Sequence, residues 1–257
     1  MPSPESAADT DAALDPPSSD RLQVARELAL RHLSATLGFQ DCPEPTLWAL
    51  VQGGRLRVLD KEEHLIRQGD SFDMLAVVLD GALNFSQMRP DGQRYLVGIQ
   101  CAGDTVGYVP MVDGSLYPYD TYARSKGTRV WLIPGEVFRQ QRLLDPSVGR
   151  AIELQLAYRI RLAYAKMNRD AGQSIEVRLA HTLLLNAQRY GQPSEAGVVI
   201  GERLSQEDLS DILGASRQRV NFALKKFKEL GLVEAHYAHI TILDMEALAR
   251  FAQDNRL

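Results

Sequence analysis

The chain has 257 residues, 45% apolar and 24% charged, with a net charge of −4, enough to bury one large core or two ordinary ones. No stretch approaches the ~20 uninterrupted apolar residues of a membrane helix, and the N-terminus lacks the basic-then-apolar order of a secretion signal, so a cytoplasmic protein without membrane contact is expected. Cys42 and Cys101 are its only cysteines, which excludes a disulfide framework and any one-chain thiolate cage for zinc or an iron–sulfur cluster.

Residues 1–20 carry Glu5, Asp9, Asp11, Asp15 and Asp20 and no Lys or Arg. This segment contributes −5 and leaves the remainder at +1, so the acidic total does not forbid a locally basic surface. Rich in Pro, Ser, Ala and Asp, it reads as a disordered tail. From Arg21 to Gly38, Leu22, Ala25, Leu28, Ala29 and Leu33 recur at helical spacing, and a shorter helix is expected near Thr46 to Gln52.

Between about Arg55 and Pro134 the pattern changes to short runs of Val, Leu, Ile, Phe and Tyr punctuated by glycines. Turn signals at that interval predict an all-β sandwich or barrel. Leu75 to Leu79 is a continuous apolar strand, and Pro90-Asp91-Gly92 a hairpin turn in which Pro presets φ and Gly tolerates a positive value. From Leu143 to Met167 the period becomes helical again, with one stripe at Val148, Ile152, Leu156, Ile160, Ala163 and Met167 and another at Ala151, Leu154, Tyr158, Leu162 and Ala165. A helix apolar on more than one side needs two neighbours. These are either two surfaces of its own chain, or the β-domain and the same helix of a second subunit in an isologous dimer. A hinge follows at Asp170 to Ser174, then a helix from Ile175 to Tyr190 ending at Gly191, a short strand at Val198 to Ile200 and a terminal helix from Asp244 to Gln253. The expected organisation is a sensor domain over 21–142, a dimerisation helix over 143–170 and a second domain over 171–257.

Within the second domain, Ser205 N-caps a helix whose third residue, Asp208, returns a side chain to the cap, with Leu209, Ile212 and Leu213 on its buried face. That helix ends at Gly214, and Ser216 at once caps another through Leu230, which is the layout of a helix-turn-helix. At 100° per residue Val220, Ala223, Leu224 and Phe227 share one side, while Gln218, Phe222, Lys225 and Lys226 lie opposite, flanked by Arg217, Arg219 and Asn221. Ala215 to Leu230 holds five Lys or Arg against one Glu, so the outward face is cationic and offers groups suited to base edges. The alternative is an ordinary helical hairpin with a solvated face. Two strands around a polar turn follow, Gly231 to Glu234 and His239 to Leu243, and add the wing of a winged helix; His236 and His239 stand at that turn, either against phosphate or simply solvated.

The strings Leu204-Ser205-Gln206-Glu207-Asp208-Leu209 and Gly214-Ala215-Ser216-Arg217-Gln218-Arg219-Val220-Asn221, together with Leu65-Ile66-Arg67-Gln68-Gly69-Asp70, Leu79-Asp80-Gly81 and Gly103-Asp104, resemble the Crp/Fnr regulators over about residues 45 to 245. The resemblance implies an α+β fold: a β jelly-roll sensor of cyclic-nucleotide-binding type, a long dimerisation helix and a C-terminal winged helix-turn-helix. It implies a non-enzymatic, homodimeric regulator that binds a near-palindrome in double-stranded DNA with half-sites about 34 Å apart, and contact with RNA polymerase. By the same resemblance Ser205, Gln206, Ser216, Arg217, Gln218, Arg219, Asn221, Phe222 and Lys225 form the DNA interface, with Arg217 gripping a guanine through O6 and N7. Gln218 suits adenine and Phe222 only apolar contact, so the preferred operator departs from that of the family's cyclic-AMP receptor.

In cyclic-nucleotide members a Gly-Glu pair holds the ribose and an Arg-Ser pair neutralises the phosphate. Here Tyr108 follows Gly107, and the Arg-Ser position falls at Tyr117-Pro118. A buried phosphate without its arginine is an unpaired charge, so cyclic AMP is not expected to be the effector. Tyr108, Tyr117, Tyr119 and Tyr122 either line a pocket for another small molecule or fill the space a nucleotide would take, and Arg124 serves either an acidic ligand or a strand surface. No cofactor is expected: His64, His32, Cys101 and Met111 form no paired axial-ligand motif for haem. An enzyme of cupin type would need clustered His and carboxylates, and the barrel segment holds one histidine, His64.

Overall fold

The computed structural model describes residues 19–88, 94–170, 172–200, 204–236 and 239–254. The acidic stretch ahead of Ser19, the Pro90-Asp91-Gly92 turn and the tip of the wing lie outside the described residues. Helix α1 (Ser19–Ala35) starts just inside the segment read as tail, and a 3₁₀ turn (Phe39–Asp41) and α2 (Glu44–Gln52) complete the N-terminal helices. The sensor strands are β1 (Arg55–Leu59), β2 (His64–Ile66), β3 (Met74–Asp80), β4 (Ala82–Met88), β5 (Arg94–Cys101) and β6 (Thr105–Val106), followed after α3 (Tyr108–Asp113) by β7 (Asp120–Ala123) and β8 (Thr128–Pro134). They form two antiparallel four-stranded sheets, in the orders β1-β8-β3-β6 and β2-β7-β4-β5.

The unbroken apolar run of β3 follows from its central place, since successive side chains point to opposite faces and here both faces are covered. Leu75, Val77 and Leu79 pack with Trp131 and Ile133 of β8 under a helical layer that includes Ala29, Leu50 and Phe138. Ala76 and Val78 point the other way, into the barrel, with Val130, Leu132, Leu83 and Phe85. The buried indole of Trp131 donates to Val51 O at 3.0 Å, so the largest core ring is also satisfied as a donor.

Two helices sit where strands or a longer helix were expected. Residues 108–113 form α3 instead of continuing the β-pattern, and α4 (Gly135–Leu144) occupies the stretch before the long helix. The break between α4 and α5 (Pro146–Asp170) has a local cause: Pro146 opens the new helix, where its missing N–H costs nothing, and the Asp145 carboxylate accepts from Ser147 N at 2.9 Å. The first half of α5 buries Val148, Ala151 and Ile152 in the helical layer, whereas Ile160, Tyr164 and Met167 near its far end are exposed.

The second domain comprises α6 (Ile175–Tyr190), β9 (Gly191–Ser194), β10 (Gly197–Ile200), α7 (Gln206–Leu213), α8 (Arg217–Glu229), β11 (Val233–His236), β12 (His239–Ile242) and α9 (Met245–Asp254). Its sheet runs β11-β12-β10-β9, so the wing hairpin continues into a second hairpin that the sequence pattern reveals only at β10. Its core gathers Leu179, Leu183, Leu209, Leu213, Val220 and Phe227, and the same apolar cluster extends to Ala82, Leu96, Ile99 and Cys101 on the outer face of β4 and β5. The two domains therefore share a core.

Candidate DNA-binding surface

The helix-turn-helix is built from α7 and α8. Ser205 caps α7 reciprocally: its Oγ accepts from Asp208 N at 3.0 Å while Ser205 N donates to Asp208 Oδ2 at 2.8 Å. Gly214 closes α7 in the left-handed region at φ 57°, ψ 43°, a conformation costly for residues with a Cβ, and so permits the sharp turn into α8. The last carbonyls of α7 carry the negative end of the helix dipole and meet cations: Lys166 Nζ donates to Ile212 O at 3.1 Å, and Arg178 to Leu213 O.

Helix α8 segregates cleanly. Val220, Ala223, Leu224 and Phe227 are buried. Ser216, Arg217, Gln218, Arg219, Asn221, Phe222 and Lys225 are exposed, with Phe222 67% accessible, unusual for an aromatic ring without a function. Gln206 is exposed at the start of α7, and Ser205 is half-buried beneath its own cap. The structure thus brings the sequence-derived DNA residues to one surface, the start of α7 beside the outward face of α8. Arg217 Nη2 lies 2.5 Å from Glu207 Oε1, a partner that sequence reading passed over because an exposed helical Glu has no pattern of its own.

This head is docked on the sensor. Arg124, just past β7, donates to both carboxylate oxygens of Asp208 at 2.9 and 3.0 Å and to Asn84 Oδ1 at 2.8 Å. Burial alone would raise the Asp208 carboxyl, but the Arg124 hydrogen bonds and charge, aided by Ser205, hold it below the ordinary carboxylate range. At the other end of the junction Asp104 accepts from Arg189 at 2.7 Å and from Tyr190 Oη at 2.5 Å. Burial and the Asp104 charge push the Tyr190 phenol well above its usual value. Arg124, considered from sequence for an acidic ligand, is instead committed to the other domain.

The four sensor tyrosines do not converge. Tyr117 sits in the barrel among Phe72, Phe85 and Tyr119, with ring centroids 5.7 to 6.5 Å apart, and Tyr117 Oη accepts from Thr121 Oγ1. Tyr122 faces elsewhere, since strand neighbours alternate: Arg94 donates to its hydroxyl at 2.9 Å and the His64 ring lies beside it. Tyr108 is buried at the start of α3, its Oη 2.8 Å from Thr105 Oγ1 and the Arg159 guanidinium 5.0 Å from its ring centroid. Burial raises its phenol to about 12.

A jelly-roll sensor joined through a long helix to a winged helix-turn-helix defines the class: a two-domain DNA-binding regulator. The family described as cyclic nucleotide-binding domain matches residues 56–143, and that described as Crp-like helix-turn-helix domain matches residues 177–251. The chain is 26% identical over 187 residues to the CRP-like cAMP-activated global transcriptional regulator of Mycobacterium tuberculosis, covering 72% of this chain and 83% of that protein. It is 27% identical over 220 residues to the transcriptional activator FnrA of Stutzerimonas stutzeri, covering 86% and 88%. The fold matches that of FixK2 from Bradyrhizobium japonicum at a TM-score of 0.69 and 20% identity, over 77% of this chain and 96% of that one. The chain belongs to the Crp/Fnr family of DNA-binding transcription regulators. No helix among the described residues is long and apolar enough to cross a membrane.

Proposed function

We propose that this regulator acts in the cytoplasm as a homodimer, reads a near-palindromic duplex with Arg217 on a guanine in each half-site, and does not respond to cyclic AMP. The observation that carries the DNA reading is the segregation of α8, whose apolar side is fully occupied by the head while Arg217, Gln218, Arg219, Asn221, Phe222 and Lys225 stand in solvent. An exposed cationic face with amide groups matches the donor and acceptor pattern of a major groove. Ser205, Gln206 and Ser216, at the two helix N-termini, are placed for backbone phosphates. From the family resemblance, the DNA-bound dimer is expected to meet RNA polymerase, and no catalytic role is proposed.

The effector reading departs from the cAMP-activated relative for a physical reason. Tyr117 and its aromatic neighbours occupy the barrel interior, Arg124 is engaged by Asp208, and by the family resemblance Tyr108 takes the position of the ribose-binding glutamate. Arg159, the guanidinium beside Tyr108, already donates to Thr105 O, so a cyclic phosphate placed there would be buried without a cation of its own unless that bond were broken. The DNA reading is tested by Arg217→Ala: operator binding is expected to weaken by ~1 to 3 kcal/mol with relaxed preference at one base pair. Equal losses on operator and random duplex would overturn the role of Arg217.

A further inference from the structure

Two carboxylates in the first turn of α7 point in different directions. Asp208 closes the capping box and faces the sensor arginine. Glu207, one residue earlier and about 100° around the helix, reaches across the turn to Arg217, and neither side chain of that pair is buried, at 64% and 62% exposed. Glu207 takes no part in the cap, and its ion pair among the described residues is with the recognition helix. Arg217 in turn is the first residue of α8, where the positive end of the helix dipole disfavours a guanidinium and makes a nearby carboxylate favourable.

We propose that Glu207 is a specificity-determining residue of the DNA interface, orienting Arg217 for guanine and opposing its use on bare phosphate. The inference rests on the reading of Arg217 given above. A guanidinium has five N–H donors in a rigid fork, so one edge can remain on Glu207 while the other donates to O6 and N7 of guanine. With its direction fixed beforehand, less side-chain freedom is lost when the base is engaged. A phosphate can accept from the same free edge, but it is an anion where O6 and N7 are neutral. To use it, the arginine must leave its carboxylate, or the carboxylate must approach a second negative charge. Non-specific binding is almost entirely phosphate contact and counterion release, so a carboxylate at this position weakens binding to random DNA more than binding to the operator. Asp211, on the same helix one turn further on, adds negative charge to that bank, and burial, Glu207 and Asp208 raise its carboxyl above the ordinary range.

The test uses the full-length protein and two duplexes of equal length: the best site selected by the wild type from a random pool, and a scrambled sequence. Glu207→Gln removes the charge and keeps the shape and an acceptor. It is expected to tighten scrambled-DNA binding about threefold to tenfold at ~50 mM salt, steepen the log–log salt dependence by about 1, and shift operator binding less than about twofold. Parallel shifts on both duplexes, or none on either, would overturn the proposal. Glu207→Ala, which also removes the acceptor, is expected to relax the guanine preference, and retention of wild-type preference would remove the orienting role. In the Arg217→Ala background Glu207→Gln is expected to change nothing, whereas an undiminished effect assigns it to general charge and refutes the pairing. If Arg217→Ala alone weakens both duplexes equally, or selection enriches no sequence, the underlying DNA reading fails as well; if Arg217→Ala behaves as expected and Glu207→Gln does not, only this inference fails. Unchanged melting of each variant confirms that the comparison is between folded proteins, as befits an exposed residue outside the cap.

Discussion

Arg124 of the sensor and Asp208 of the DNA-binding domain form a two-pronged ion pair, 2.9 and 3.0 Å long, with only 13% and 17% of the two side chains exposed. Asp208 also holds the cap of α7, so one carboxylate fixes both the start of the helix-turn-helix and its seat on the sensor. Removing one partner of a buried pair leaves an uncompensated charge and costs about 3–5 kcal/mol. Arg124→Met, which keeps the aliphatic volume, is expected to lower the urea midpoint accordingly. Arg124→Lys is expected to recover little, because an ammonium cannot make the two parallel bonds to Asp208 and also reach Asn84. An unchanged midpoint in Arg124→Met would show that the junction rests on its apolar contacts alone.

The same pair sets an acid limit. The Asp208 carboxyl lies below its ordinary value in the folded protein, so its contribution is fully present above the unfolded value, about 3.9, and is lost as pH falls through the folded value. The stability gap between wild type and Asp208→Asn is therefore expected to stay constant from neutrality to about pH 4 and to narrow below it. Paired denaturation curves down the pH scale measure this. Asp73 and Asp145, also held low by hydrogen bonds, are common to both proteins and cancel in the difference. A gap that closes near pH 6 would point to a histidine instead.

What the sequence disclosed and what it withheld divide along physical lines. Periodicity and caps are local, and so Ser205, Gly214, Ser216 and the buried stripe of α8 were legible, as was β3, whose run of five apolar residues needs two covered faces. The family resemblance supplied the jelly roll and the role proposed for Arg217. Residues 108–113 misled because Tyr, Val and Met suit strands as well as a helix, and the left-handed Gly107 and Gly114 that bracket α3 resemble strand-turn glycines. The docking was not legible at all. Arg124 and Asp208 are 84 positions apart, and nothing local distinguishes an arginine after a strand that meets solvent from one that meets another domain. Leu96, Ile99 and Cys101 alternate imperfectly because of a bulge opposite Phe85 and Ser86, so the apolar outer face of β5 could not be told from an inner one.

Gly214 offers a test of the turn itself. At φ 57° a β-branched side chain meets the strain that excludes L-residues from left-handed backbone, roughly 1–2 kcal/mol. Gly214→Val is expected to lower stability by that amount and to weaken operator binding further by re-angling α8 against α7. Wild-type stability with wild-type binding would mean that the turn tolerates another conformation.

Titration calorimetry with cyclic AMP is expected to show no micromolar binding. Tyr117, Phe72 and Phe85 crowd the barrel, Arg124 is held by Asp208 and Asn84, and Arg159 is held by Thr105 O and the Tyr108 ring, so a phosphate would have to displace an existing partner to gain a cation. A micromolar heat with one site per chain would require those rings to move and would refute the reading.

The proposed dimer rests on α5. Ile160, Tyr164 and Met167 fall at i, i+4 and i+7, on one face, and are 52, 62 and 65% exposed, whereas Val148, Ala151 and Ile152 earlier in the same helix are buried by their own chain. Three large apolar side chains in a row on an exposed helix face need a cover, and a second copy of the helix is self-complementary to it by twofold symmetry. Ile160→Glu with Tyr164→Glu is expected to convert a dimer to a monomer in sedimentation equilibrium at micromolar concentration, because like charges would face each other across the axis. The same protein is expected to lose tight binding to a full palindrome while keeping weak binding to a half-site, since α8 is untouched. A wild type that sediments as a monomer, or a double variant that still sediments as a dimer, would move the interface away from this helix.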